Sequence, residues 1–377
     1  MRIAIFTESL PPLTDGVART FTRLAECMDA EGVDFRFFSP VAPPSAGSSP
    51  WRARVHPLPS FAIPMYDYYR CAWPHFQGLE QELEDFEPDV VHVTTPTFLG
   101  YFGQSWALRH RLPVVASYHT HFVQYFPYYH ASALMPLGWG LLRHFHNRCA
   151  RTYAPSASAV QELTGRGFER LALWPRGIDT QAFNPRHRDP GLRQRLSAKG
   201  EKLILFVGRL VSEKGLKDLV AVVRRLQAKG QKVRPVFAGD GPMARALRRR
   251  LPQAQLLGFV TGLPLSQLYA SCDLFLFPSR TETFGNVILE AMASGLPVVA
   301  YNAGGVGDIL SQSQAGLACE PGDREGLAQA CLSLLKSPGR SRLMAGRGLR
   351  EAAKRSWGAI NGALIQDYRD LAQARVA

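Results

Sequence analysis

Strand-sized apolar runs alternate with amphipathic helical stretches along the whole chain, and this alternation restricts the fold more than any other feature. In the first half the runs are Ile3–Phe6, Phe35–Ser39, Val90–Val93, Val114–Tyr118, Thr152–Ala154 and Leu171–Trp174. In the second half they are Leu203–Val207, Val233–Ala238, Gln255–Leu257, Leu274–Pro278 and Pro297–Ala300. Helical spacing appears between them at Val17–Glu31, Gly215–Lys229, Pro242–Leu251 and Asn286–Ser294. Such a pattern builds βαβ units on a parallel sheet. Two series in one chain imply an α/β protein of two doubly wound, Rossmann-like domains facing across a cleft, where ligands of such folds usually sit. The Pro-rich, charged stretch Pro175–Gly200 is the boundary. The expected segments are therefore a first domain in 1–175, a second in 176–356, and a last helix in 357–377.

Composition agrees and narrows the classes. A chain of 377 residues that is 46% hydrophobic can bury two cores of ordinary size. No apolar run approaches the roughly 20 residues of a membrane-spanning helix. The N-terminus runs directly into a strand, so no cleaved signal peptide is expected. Six scattered cysteines without a C-x-x-C pair point away from disulfides and zinc and toward a reducing, cytoplasmic setting. The net charge of +13 admits nucleic acid, an anionic membrane or an anionic small substrate. Several arginines, among them Arg245, Arg248, Arg249 and Arg250, also fit an ordinary solvated helix face.

The chemistry concentrates in the string from Pro278 to Val299. A strand ends in a polar loop containing Glu282, Gly285 follows, and a helix opens near Asn286. The first turn of a helix presents unpaired N–H groups and a partial positive charge, which suit a phosphate. Gly285 lets the backbone approach that ligand closely. Either glutamate alone reads equally well as an acidic residue near a helix start. In order and spacing the whole string resembles the E-x7-E element of the family 4 retaining glycosyltransferases, which have the GT-B fold. The resemblance implies that Glu282 contacts the transferred sugar, that Glu290 contacts the ribose, and that Phe284, Gly285, Asn286 and Val287 line the donor.

The resemblance extends over nearly the whole chain. Gly208-Arg209-Leu210 followed by Lys214-Gly215 looks like the family's G-R-L-x-x-x-K-G, in which Arg209 and Lys214 would clamp the donor diphosphate. Gly239-Asp240-Gly241-Pro242 resembles its G-x-G-P turn. That string lacks the third glycine of a dinucleotide fingerprint, which disfavours a dehydrogenase. Val260 stands where relatives pair with the nucleobase through the backbone. Backbone contacts leave the base open between GDP and UDP, and Thr261 and Gly262 replace an Asp found in some guanine-using relatives, which weakens a GDP assignment. Gly16, in the loop Thr7–Val17, matches a glycine that approaches the donor phosphates. Ser117-Tyr118-His119-Thr120-His121 resembles the S-Y-H-T segment of lipid-directed members, in which His119 would contact the donor sugar. Leu173–Pro185 also resembles the linker of that subgroup. Two histidines without a third ligand, and no D-x-D string, give no reason to expect a metal.

Two regions are expected to meet the acceptor. Trp51–Pro74 reads as a long irregular insertion. Phe122–Arg151 is aromatic (Phe122, Tyr125, Phe126, Tyr128, Tyr129, Trp139) and then basic (Arg143, His144, His146, Arg148, Arg151). That mixture fits either a surface dipping into lipid headgroups or a plain core. The expected activity is retaining transfer of a hexose from a GDP-mannose or UDP-glucose type donor to a hydroxyl, with a membrane lipid as acceptor, no cofactor and no metal. The expected partners are the nucleotide sugar, the acceptor and an anionic membrane surface, without nucleic acid, and the expected place is the cytoplasm or the inner membrane face. A non-lipid acceptor, a nucleotide-sugar epimerase on the same fold, and a basic nucleic-acid-binding protein are the alternatives.

Overall fold

The computed structural model describes residues 1–374 except 14, 42–49, 64–65, 75, 120, 122, 124–125, 127–131 and 198–199. Thr120, Phe122, Tyr125, Tyr128 and Tyr129, named above, therefore lie outside the described residues. The chain forms two compact units. Unit 1 comprises Met1–Val123, Ala133–Arg176 and Trp357–Ala377; unit 2 comprises Gln124–Ser132 and Gly177–Ser356.

Unit 1 holds a seven-stranded sheet of β1 (Arg2–Phe6), β2 (Asp34–Ser39), β3 (Val55–Pro57), β6 (Val90–Val93), β7 (Val114–Ser117), β8 (Arg151–Ala154) and β9 (Leu171–Leu173). The order is β3-β2-β1-β6-β7-β8-β9, and every pairing is parallel. The run Ile3–Phe6 is continuously apolar because both faces of β1 are covered. Ile3 and Ile5 join Phe35, Phe37, Val90 and Val115 in one core, while Ala4 and Phe6 join Phe38, Val91, Val93 and Val114 in another. Helices α1 (Gly16–Ala30), α2 (Leu79–Phe86), α3 (Phe98–Arg109), α4 (Met135–Asn147) and α5 (Ala157–Gly165) fall between strands.

The insertion Trp51–Pro74 is more regular than its sequence suggests. Val55–Pro57 adds an edge strand, and β4 (Ser60–Ile63) pairs antiparallel with β5 (Tyr66–Ala72) outside the main sheet. Prolines within and between these short strands hide their period, and an edge strand tolerates Pro57. The last helix of the chain, Trp357–Gln373, packs within unit 1. Its Leu364, Ile365 and Tyr368 are buried in the same core as Phe21 and Trp174. Burying such side chains stabilises by ~1.5–3 kcal/mol each. Its Asp367 accepts from Arg151 (2.6 Å) and from the Tyr153 hydroxyl (2.5 Å).

Unit 2 repeats the architecture with six strands: β10 (Lys202–Val207), β11 (Val233–Ala238), β12 (Gln255–Leu256), β13 (Leu274–Phe277), β14 (Val298–Tyr301) and β15 (Gly316–Cys319). They run parallel in the order β12-β11-β10-β13-β14-β15. The stretch after Arg176 is not an irregular linker throughout. Asp189 caps helix α6 (Pro190–Leu196), with Pro190 at its first position, where a missing N–H costs nothing. Unit 2 continues with α7 (Leu216–Ala228), α8 (Ala244–Arg250), α9 (Gly262–Ser271), α10 (Asn286–Ala293), α11 (Gly304–Ser313), α12 (Arg324–Lys336) and α13 (Pro338–Ala353).

Candidate active site

In unit 2 the chain winds outward from two neighbouring strands, with β11 and β12 beyond β10 and β14 and β15 beyond β13. The loops leaving β10 and β13 diverge there, and open parallel sheets bind ligands in that crevice. The loop after β10 carries Arg209 and Lys214; the loop after β13 carries Glu282. Lys214 Nζ donates to Glu282 Oε1, and Ser279 Oγ donates to the same oxygen (3.0 Å). Burial pushes the Glu282 carboxyl up, but the Lys214 ammonium, with Ser279 and Arg209, more than compensates and holds it below the usual range. Arg209 lies 3.8 Å from the buried Glu213 and keeps 40% of its side chain exposed. Arg280, in the same loop as Glu282, turns away. Its guanidinium binds Asp218 (2.6 Å), which Arg324 and Tyr301 also contact.

Two glycines set the main chain of this crevice. Gly215 has φ +70°, and a Cβ there would fall 1.9 Å from the Pro278 carbonyl oxygen, so the two loops abut backbone to backbone. Gly285 has φ +93°, and a Cβ would lie 2.7 Å from Val306 Cγ2. It precedes α10, whose start has no side-chain cap. Asn286 Oδ1 and Thr281 Oγ1 nearby are buried with no hydrogen-bond partner among the described residues. The Phe284 ring is buried in the core, with Val287 and Val260 packed against that core. Glu290 is buried and accepts from the Tyr269 hydroxyl (2.9 Å).

His119 and Gly16 lie in unit 1. Arg176 donates to His119 Nδ1 (2.9 Å), so the ring proton sits on Nε2, which bonds Ser117 Oγ (2.7 Å). Ser117 in turn reaches His92 Nε2 (2.9 Å), and His92 Nδ1 reaches the Tyr368 hydroxyl (2.7 Å). A directed chain of neutral groups follows, because burial first and the Arg176 charge second hold both imidazoles far below their usual pKa. Both ring nitrogens of His119 thus have partners inside unit 1. A ring hydrogen bond to a sugar would have to share or displace one of them. His121 is likewise engaged, by Tyr118 (3.1 Å). Gly16 opens α1, and the Asp15 carboxylate accepts from Val17 and Ala18 N–H (2.8 and 2.9 Å).

Of the two readings left open for the aromatic and basic segment, the described residues Trp139 and His146 follow the core one. Trp139 is buried, with Arg166 stacked over it at 4.0 Å, and His146 is buried as well. The exposed face of α4 and its approach is leucine instead: Leu134, Leu137 and Leu141 are 54%, 62% and 54% exposed. The sequence reading assigned no role to Ser279, Arg176 or Glu8. All three stand inside or beside the quoted motifs, but their partners are invisible to spacing; Arg176 and His119 are 57 residues apart.

Comparison with known proteins bears on the whole chain. The profile described as Glycosyltransferase Family 4 matches residues 14–182, and Glycosyl transferases group 1 matches residues 201–337. A GDP-mannose-dependent alpha-mannosyltransferase of Mycobacterium tuberculosis is 34% identical over 372 residues, spanning 98% of this chain and 96% of that protein. An alpha-monoglucosyldiacylglycerol synthase of Streptococcus pneumoniae is 25% identical over 332 residues, spanning 84% and 74%. Among solved structures, sucrose-phosphate synthase of Thermosynechococcus elongatus shares the fold, with a TM-score of 0.81 over 99% of both chains at 20% identity.

Proposed function

The chain belongs to glycosyltransferase family 4, and from that premise we propose that it transfers mannose from GDP-mannose, with retention, to a hydroxyl of a lipid acceptor. It is a hexosyltransferase that uses a nucleotide sugar; the base, the sugar and the acceptor are the parts proposed. The observation that carries the reading is the Lys214–Glu282 pair at the unit 2 switch point, beside the uncapped start of α10. An anionic diphosphate is attracted by Lys214, Arg209 and the first N–H groups of α10. Glu282 is kept ionised and accepts hydrogen bonds from the hydroxyls of the sugar. GDP and mannose are favoured by the GDP-mannose-dependent relative that spans almost the whole chain.

In the reaction proposed, the bond from the anomeric carbon to the departing phosphate oxygen breaks as the acceptor oxygen bonds that carbon on the same face. The departing phosphate oxygen takes the acceptor's proton. Arg209 and Lys214 stabilise the charge that develops on the diphosphate, which gives them the work a metal ion does elsewhere. Glu290 is assigned to the ribose and Val260 to the base through its main chain. In unit 1, His119 and Gly16 are assigned to the sugar and the donor phosphates.

A lipid acceptor is supported by the relative named alpha-monoglucosyldiacylglycerol synthase and by α4. Leu134, Leu137, Leu141, His144 and Arg148 are all exposed at helical spacing, forming an apolar stripe that ends in basic residues. No helix among the described residues is long and apolar enough to cross a membrane, so docking on an anionic surface through this stripe is the proposed mode. Flotation with anionic liposomes tests it: Leu137→Asp with Leu141→Asp should leave the floating fraction, and wild-type protein that never floats would refute it. The donor site is tested by thermal shift with GDP, UDP and ADP, in EDTA and then with magnesium. A ligand at 100 times its Kd adds ~2.7 kcal/mol. A shift with GDP in EDTA supports the reading, a shift with UDP alone replaces the base, and no shift with any nucleotide removes the site.

A further inference from the structure

Unit 1 has a switch point of its own, between β1 and β6, from which β2 and β3 lie to one side and β7, β8 and β9 to the other. The loops leaving those two strands carry Glu8 and Thr94–Thr97. Thr97 Oγ1 donates to Glu8 Oε1, bridging the loops, and Thr94 and Thr95 hydroxyls lie 3.1 Å from each other on the same turn. Glu8 has no ion pair among the described residues, and it is only partly shielded from solvent. Burial pushes its carboxyl up to about 7 despite the threonine hydroxyls. A carboxylate partly shielded from water and without a cation is disfavoured, and such groups gather where a ligand needs them.

The chemistry of this crevice selects its ligand. A carboxylate with no neutralising cation repels phosphate. It accepts strongly from hydroxyls, and the neighbouring threonines can both donate and accept. Resting on the transferase reading above, we propose that Glu8 is a specificity-determining residue for the acceptor: its carboxylate receives hydrogen bonds from the hydroxyls of a neutral, sugar- or polyol-bearing acceptor at the unit 1 switch point. The acceptor of this enzyme is then a hydroxyl-rich headgroup and not a phosphorylated one.

The experiment compares wild type, Glu8→Gln and Glu8→Ala with the nucleotide sugar selected by the thermal-shift panel. The acceptor probes are monoglucosyl-dioleoylglycerol and dioleoylphosphatidylinositol phosphate in micelles, and methyl α-mannoside in solution. Wild type should prefer the neutral headgroup. Glu8→Gln should raise the KM for that acceptor at least tenfold, and Glu8→Ala further still. The thermal shift with the free nucleotide should stay within a degree of wild type, which a merely structural loss would not allow. An acceptor KM changed less than twofold in both variants overturns the proposal, as does a wild-type preference for the phosphorylated lipid. If wild type uses only methyl α-mannoside, the lipid reading fails and the Glu8 comparison is read on that probe. If no nucleotide shifts wild type, the transferase site and this proposal fall together.

Discussion

The two units share one topology, and each places a glutamate at the loop pair where its winding reverses, yet the two carboxylates live in opposite electrostatic settings. Glu282 is bonded by Lys214 and Ser279 and held below the usual range. Glu8 is bonded by threonine hydroxyls and a backbone N–H with no cation among them, and burial pushes it up to about 7. The loops that hold them also differ. In unit 2 they touch main chain to main chain at Gly215 and Pro278, whereas in unit 1 threonine hydroxyls reach across to the Glu8 carboxyl. The same fold thus yields a cation-balanced crevice and a purely acidic one. What a switch point binds is decided by the few loop residues placed there and not by the sheet.

The strongest way to break the comparison is to remove the cation that separates the two glutamates. Lys214→Ala should lower kcat/KM for transfer about 10²–10³-fold, measured with saturating acceptor, and near-normal turnover would erase the distinction. Next comes the rigid contact. Gly215→Ala forces a left-handed residue against the Pro278 carbonyl and should destabilise unit 2 by ~2–4 kcal/mol, read as a fall in Tm, or in the denaturant midpoint of whichever transition donor nucleotide protects.

The two carboxylates should then show opposite pH dependence. Glu282 has a lowered pKa, so its contribution to stability is present above 4.5, its ordinary value, and is lost as pH falls through the folded value. Glu8 has a raised pKa, so its contribution is present below 4.5 and is lost as pH rises through about 7. Glu8→Gln should therefore gain in Tm relative to wild type between pH 5 and pH 8. Over the same interval Glu282→Gln should stay below wild type, with its deficit shrinking only in stronger acid. Parallel curves for the two variants would contradict the contrast. Smallest of all, Thr97→Ala removes one hydroxyl from Glu8 and should cost ~0.5–1.5 kcal/mol by urea titration.

Much of this was legible in the residues. Continuous runs such as Ile3–Phe6 and Leu203–Val207 announce strands covered on both faces, and the helix from Asn286 was placed by the polar loop and Gly285 before it. The short strands around Pro57 and Ser60 were not, because three or four residues broken by proline carry no period. Gly316–Cys319 escaped for a similar reason, being a short edge strand opened by a glycine. Within the site, the family resemblance carried by two motif strings singled out Arg209, Lys214 and Glu282. Spacing could not show that Arg280 belongs to Asp218, that Trp139 is buried, or that Arg176 fixes the His119 tautomer. Those facts depend on contacts between residues far apart in the chain.

The hydrogen-bonded line from Arg176 through His119, Ser117 and His92 ends on Tyr368, and that has a consequence in the order of synthesis. His92 and Ser117 are made early, but the hydroxyl that satisfies His92 Nδ1 is encoded after the whole of residues 177–356. Unit 2 emerges complete while unit 1 still carries a buried imidazole without its partner and an uncovered apolar face. Unit 1 can therefore complete its core only after residues 177–356 and the helix that follows them have been made.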